Sequence, residues 1–238
     1  MRSVRLLCLL LLAAGAPAPA SPPPQTPPVT FFEGARLITG NVGDPGEDVE
    51  VIENAAFLVQ GDRFTRVGRR GEVRPPPGAA RVDLTGKTVM PGLIELHGHL
   101  GYRKGLGNEV ENFTEENVLD HLRRLAYHGV VAILSLGTDR RELGYALRNA
   151  LRAAPPPDAA RFFTGGQGLA MPNAGPGPPM RYAPYGISTE EQARWAIGEM
   201  ASYGVDYVKV WVDDRGGTMA KLPLPVAAAG IAEAHRYG

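Results

Sequence analysis

From residue 93 to the end of the chain, short apolar runs alternate with longer stretches of helical pattern, and this alternation narrows the choice of fold more than any other feature. The runs at 93–100, 130–136, 161–164 and 206–212 are too short for helices and rich in Val, Ile, Leu and aromatic residues, so they read as strands. Between them lie helical segments at 114–127, 141–154 and 189–203, and a fourth closes the chain at 225–237. Thr114 and Thr189 stand at helix starts as N-caps. Glu115 and Glu116 complement the positive end of the first helix, and Pro155-Pro156-Pro157 stops the second. Strands separated by helices pair in parallel, and parallel sheets are covered on both faces. The expectation is an α/β fold, the N-terminal part of a (β/α)8 TIM-type barrel with about four strand–helix units over residues 91–238. A complete eight-unit barrel takes about 250 residues. The chain therefore reads as the first half of one, ending where a fifth strand is due.

The preceding part has a different texture. Residues 1–20 read as a secretory signal peptide, with Arg2 and Arg5 ahead of an apolar run and Ala18-Pro19-Ala20 as a small-residue cleavage site. Residues 21–29 form a proline-rich linker of extended type. Short strands at 31–39, 55–59, 64–67 and 81–84, with a hairpin turn at Gln60-Gly61-Asp62-Arg63, then make residues 30–90 a small β-sandwich-like domain. The single cysteine, Cys8, lies inside the leader. The mature chain is thus left without disulfides, thiolate ligands or a cysteine nucleophile, and any metal must be held by nitrogen and oxygen.

The first barrel strand ends in His97-Gly98-His99. Alternate residues of a strand share a face, so the two imidazoles are expected to point the same way, with Glu95 and Leu93 below them. The strand is apolar on both faces and reads as buried. The C-terminal end of a parallel barrel strand is where such folds place their chemistry. Lys209 sits in the middle of the apolar run Val208-Lys209-Val210-Trp211-Val212. An unpaired ammonium is disfavoured in such surroundings, so Lys209 is expected to be ion-paired, with Asp206, Asp213 or Glu95, or else neutralised or chemically changed. His121 and His128, on one face of the first helix, and His235 in the last helix read as structural.

The run Val89-Met90-Pro91-Gly92-Leu93-Ile94-Glu95-Leu96-His97-Gly98-His99 resembles the first barrel strand of the metal-dependent amidohydrolase superfamily, with Glu95 where aspartate is commoner. The run 204–214 (GVDYVKVWVDD) is similar to the fourth barrel strand of those members whose lysine is carboxylated. The resemblance is to the imidazolonepropionase-like and prolidase-like branches and covers residues 30–238. It implies His97, His99 and Lys209 as ligands of one or two divalent metal ions, zinc by preference, and a metal-activated water that cleaves a C–N bond in an amide, cyclic amide or dipeptide-like small molecule. The family's further histidines and its proton-transferring aspartate have no counterpart in this chain, so the catalytic base is unassigned and the chain is expected to be inactive by itself. Tyr102, in the loop after the histidines, is the residue expected to touch substrate. Arg103 is a weaker candidate, as are Met171, Asn173, Arg181, Tyr182 and Tyr185 in the glycine-rich loop 165–186.

Lys plus Arg and Asp plus Glu both number 25, and no basic run is interleaved with aromatics, so neither nucleic acid nor an anionic membrane is an expected partner. Ser135 and Thr138 end the second strand without the partners of a serine hydrolase. The competing expectation is an exported, non-catalytic metal- or ligand-binding protein that keeps the fold. In either case the location is periplasmic or secreted, and the oligomeric state is not legible.

Overall fold

The structure is a computed structural model that describes residues 27–41 and 48–238. The leader read at 1–20 and most of the linker lie outside the described residues. The chain divides into two units, one ending at Pro91 and the other spanning Gly92–Gly238.

The first unit contains β1 (Val29–Ile38), β2 (Val51–Gln60), β3 (Arg63–Arg69), β4 (Ala80–Asp83) and β5 (Thr88–Val89). They form one sheet in the order β3-β2-β1-β4, with β5 also pairing β1 beyond β4. The second layer of a sandwich is not present among the described residues. Alternation along β2 sends Ala56 and Leu58 to one face with Phe31 and Val73, and Ala55 and Phe57 to the other with Leu37. A two-residue turn, with Gly61 at φ +59°, joins β2 to β3.

The second unit opens with β6 (Leu93–Gly98), followed by a small hairpin of β7 (Arg103–Lys104) and β8 (Gly107–Asn108), then α1 (Glu115–Tyr127), β9 (Val130–Ser135), α2 (Arg141–Ala153) and β10 (Arg161–Thr164). The strands run parallel in the order β10-β9-β6. The short β11 (Leu169–Ala170) and β12 (Tyr185–Gly186) pair within the glycine-rich loop, and α3 (Glu190–Ser202) and α4 (Leu224–Tyr237) complete the unit. Thr114 accepts a hydrogen bond from the Asn117 amide, and Thr189 forms a full capping box with Gln192, so both helices start where their caps stand. One core joins Ile133 and Phe162 of the sheet to Val118, Leu122 and Leu147 of the two helices. A second joins α3 and α4 around Leu169, Ile197 and Met200. Among the described residues no helix is long and apolar enough to cross a membrane.

Two expectations are corrected. The run 206–212 is extended but makes no ladder, only a single parallel bridge of Val210 to Leu169. The Asp206 carboxylate accepts from the Thr164 amide at 2.9 Å, and the chain next bonds to Leu169, beyond the end of β10. The second correction concerns β6, which is not buried. Ile94 and Leu96 are 57% and 63% exposed, and β6 pairs on one edge only, with β9.

Candidate metal centre

The histidine pair is placed by an irregularity in β6. Glu95 lies opposite Ile133, and Gly98 lies opposite Ser135, so three steps on β6 match two on β9. Such a bulge re-aims the side chains beyond it. Its local cause is Glu95, whose carboxylate accepts the His97 amide at 2.7 Å and so competes with the ladder. A Cβ on Gly98 would meet Ile133 and lie 3.6 Å from the Glu95 side chain, which puts Gly98, Ile133 and Glu95 on one face. His97 and His99, either side of Gly98, share the other, with ring centroids 5.7 Å apart. The expected pairing of the two imidazoles is therefore present, but Glu95 is not below them.

His99 is anchored from the turn that follows β9. Its Nδ1 lies 3.0 Å from Thr138 Oγ1, and Thr138 is fully buried. Burial pushes the His99 pKa down to about 4, with the charges of His97 and Lys209 adding to the effect. The ring is neutral at pH 7, which is the state that can donate a lone pair. Below it, Asp139 is wholly enclosed and accepts from Ser135 Oγ and Thr164 Oγ1, both at 2.5 Å. Loss of hydration raises its pKa to about 7, and the two hydroxyls only partly offset this. Asp139 thus ties the ends of β9 and β10 together. The sequence reading passed it over, although hydroxyl and carboxylate residues directly after an apolar strand, as in Ser135-Leu136-Gly137-Thr138-Asp139, were a signal for a polar cluster.

Lys209 approaches the same turn. Gly137, at φ +72°, leaves the space that the lysine occupies, since a Cβ there would lie 2.8 Å from the Lys209 Cβ and 2.8 Å from the Trp211 ring. Lys209 Nζ stands 5.3 Å from the Trp211 ring centroid. The three carboxylates named as its possible partners are engaged elsewhere. Asp206 pairs with Arg148 at 2.6 Å and Arg152 at 2.7 Å, Asp213 pairs with Arg215, and Glu95 holds the His97 amide. No carboxylate pairs with Lys209 among the described residues.

Tyr102 is placed differently from its expected role. It is 3% exposed, packs edge-on against Phe113, and donates its hydroxyl to the Thr138 carbonyl at 2.5 Å, so it braces the turn and its proton is committed there. Arg103 borders an open groove of about 1000 Å³ whose walls include His97, His99, Arg124 and Met180. Tyr185 is buried under Arg141, whereas Tyr182 is largely exposed. His121 accepts from the Gly101 amide through Nδ1, and its Nε2 contacts the Arg103 carbonyl, so the ring pins the loop after β6. His128 caps α1.

The candidate donors are two imidazoles at the end of the parallel strand β6 and the amine of Lys209, whose side chain lies beside Gly137 in the turn after β9. Neutral nitrogen at His99 suits a divalent cation, whereas Lys209 can serve as a ligand only as an uncharged amine or a carbamate. Among the described residues no third His, Cys, Asp or Glu joins them.

Parallel strands alternating with helices, with donor side chains gathered at the strand ends, make this unit a section of (β/α)8-barrel wall. The chain is related to the amidohydrolase superfamily. It is 42% identical over 74 residues to imidazolonepropionase of Rubrobacter xylanophilus, a match covering 29% of this chain and 17% of that enzyme. Against imidazolonepropionase of Thermoplasma acidophilum it is 32% identical over 81 residues, or 34% and 17% of the two chains. Among solved structures it is similar to a Bifidobacterium longum protein described as a prolidase, with a TM-score of 0.70 and 26% identity over 90% of this chain and 48% of the other. A Xaa-Pro dipeptidase shares the fold at a TM-score of 0.69 and 19% identity, over 88% and 55% of the two chains. The chain thus spans about half the length of these solved structures. No family model matches it.

Proposed function

We propose that this chain carries the metal-binding part of a hydrolase of the amidohydrolase type, acting on a C–N bond of a small amide, cyclic amide or dipeptide-like substrate. The observation that carries this reading is the pairing of His97 with His99 at the end of β6, with His99 and Lys209 both set against the turn after β9 and no carboxylate on Lys209 among the described residues. Names among the relatives, imidazolonepropionase and Xaa-Pro dipeptidase, support the substrate class.

In this reading His97, His99 and Lys209 hold a divalent cation, zinc by preference. When bound, that ion lowers the pKa of a water towards 7 and polarises the scissile carbonyl. The chain's own part is to hold the His99 imidazole neutral and to engage Asp206, Asp213 and Glu95 away from Lys209. An uncharged Lys209 amine can add carbon dioxide, forming an N–C bond and releasing one proton, and the resulting carbamate offers two anionic oxygens. The residue that moves the proton during hydrolysis is not assigned.

Metal analysis tests this directly. The longest available form of the protein should retain stoichiometric zinc after dialysis, the double variant His97→Ala/His99→Ala in that form should retain none, and Lys209→Ala should lose metal that short-chain carboxylic acids partly restore. Unchanged zinc in the histidine variant sinks the reading. One observation favours a second reading, a non-catalytic binding protein: no third His, Cys, Asp or Glu joins the pair among the described residues. Zinc binding without turnover of any amide, lactam or dipeptide by the longest available form of the protein would decide for it. The proposal includes export, on the strength of residues 1–20. Recovery of the chain from the cytosol with Met1 still attached would refute that part.

A further inference from the structure

Thr138 makes a contact that neither the resemblance nor the proposed chemistry assigns. Its side chain is fully buried, it follows Gly137 at the turn beside Lys209, and the only side-chain hydrogen bond of its hydroxyl among the described residues is to His99 Nδ1, at 3.0 Å. Its carbonyl is fixed in turn by the Tyr102 hydroxyl. The next residue, Asp139, is locked between Ser135 and Thr164. The hydroxyl therefore sits on a turn braced on both sides, whereas the His99 ring has no other side-chain hydrogen-bond partner among the described residues.

We propose that Thr138 is the positioning residue for His99: it engages Nδ1 and so leaves Nε2 as the ring nitrogen presented to the candidate metal centre. A buried hydroxyl without its donor bond is costly, and this one has no other acceptor among the described residues, so in the metal-free chain it donates to Nδ1 and the ring proton sits on Nε2. A hydroxyl has lone pairs as well as a proton, so the same contact persists as an acceptor when Nδ1 carries the proton. The ring is held in one orientation in both cases. Partners of this kind set both the tautomer and the direction of a ligating histidine, and their loss typically weakens metal binding 10–100-fold.

The proposal rests on the metal reading for its purpose but not for its test. Magic-angle-spinning ¹⁵N spectra of metal-free, histidine-labelled chain at pH 8, with His99→Ala used to assign the signal, should show His99 as a single tautomer with Nδ1 unprotonated. Thr138→Ser, which keeps the hydroxyl, should give the same spectrum. Thr138→Val, which keeps the shape, should give a mixture of tautomers, and in a chelator competition its zinc affinity should fall 10–100-fold while that of Thr138→Ser stays near wild type. If Thr138→Val does not fold, Tyr102→Phe, which frees the Thr138 carbonyl, should broaden the same signal. An unchanged single tautomer in Thr138→Val, or in Tyr102→Phe where the valine variant is lost, overturns the inference. A wild-type chain that binds no zinc but shows the expected spectra overturns the metal reading and leaves the positioning role standing.

Discussion

At the scale of single residues, the centre depends on burial being unequal among neighbouring groups. His99 and Asp139 shift in opposite senses. The His99 pKa falls to about 4, so the unfolded chain takes up a proton that the folded ring refuses, and stability is lost as the pH drops from about 6.5 through 4. Asp139 rises to about 7, so its protonated form is favoured in the folded state, and stability is lost as the pH rises from about 4 through 7. The two trends oppose each other in the shared window, so a wild-type profile hides both. Replacing Asp139 with Asn removes one. The stability gained by Asp139→Asn relative to wild type should grow between pH 4.5 and 8, by up to about 4 kcal/mol, a ceiling set by roughly three pKa units. Denaturant titrations at several pH values measure this, and a difference that does not vary with pH would show that Asp139 is ionised in the fold. Gly137 offers a second check. Alanine there combines an unfavourable φ of +72° with a methyl group pressed against Lys209 and Trp211. Gly137→Ala should cost about 1–3 kcal/mol and reduce bound zinc.

At the scale of elements, the placement of residues 206–212 rests more on an ion pair than on strand pairing. Arg148 projects from α2 and is 2% exposed. It bonds Asp206 at 2.6 Å and donates to the carbonyls of Tyr203 and Gly204. Asp206 also accepts from Arg152 and from the Thr164 amide, so α2 and β10 meet at its carboxylate, while the Arg148 guanidinium adds the end of α3. Stranding one partner of a buried pair costs about 3–5 kcal/mol. Asp206 keeps Arg152 and the Thr164 amide when Arg148 is lost, so Arg148→Ala should destabilise the chain by less than that and loosen Lys209, lowering zinc content even though Arg148 is not a ligand. Chemical denaturation with parallel metal analysis checks both, and full zinc retention in a folded Arg148→Ala would separate the lysine's position from this pair. Thr189→Ala, which removes the capping box of α3, should cost only about 1 kcal/mol and leave metal unchanged.

At the scale of the whole molecule, the exposed apolar side chains of β6 decide how this chain behaves in solution. Leu93, Ile94 and Leu96 are each more than half exposed, and beside them Val131 of β9 is also open to solvent. Apolar surface next to an unpaired strand edge favours association. The 238-residue chain expressed by itself should self-associate in a concentration-dependent way, bind zinc substoichiometrically and fail to hydrolyse amides. Leu96→Glu should shift it towards monomer in sedimentation velocity. A monodisperse wild-type chain with zinc-dependent amidase activity would contradict this.

The features legible in the sequence were those with a local cause. Thr114 and Thr189 cap helices because a hydroxyl reaches an amide three residues on, and the apolar runs at 93–98, 130–135 and 161–164 form strands because their side chains suit a pleated surface. The pairing of His97 with His99 follows from the two-residue repeat, and it survives the bulge because both residues lie near or beyond the end of the irregular stretch. The rest was decided by contacts between residues distant in sequence. Glu95 was expected under the histidines and lies on the other face, since its carboxylate captures a backbone amide and the register slips by one. Tyr102 was expected at a substrate and is buried, because the Thr138 carbonyl, 36 residues on, accepts its hydroxyl. Asp206 is not paired with Lys209 because arginines of α2 claim it, and Asp139 becomes a buried acid because two strand ends close over it. Repeat patterns and caps need only neighbours along the chain, whereas the partner of a charge and the depth of its burial exist only once the chain has folded back on itself.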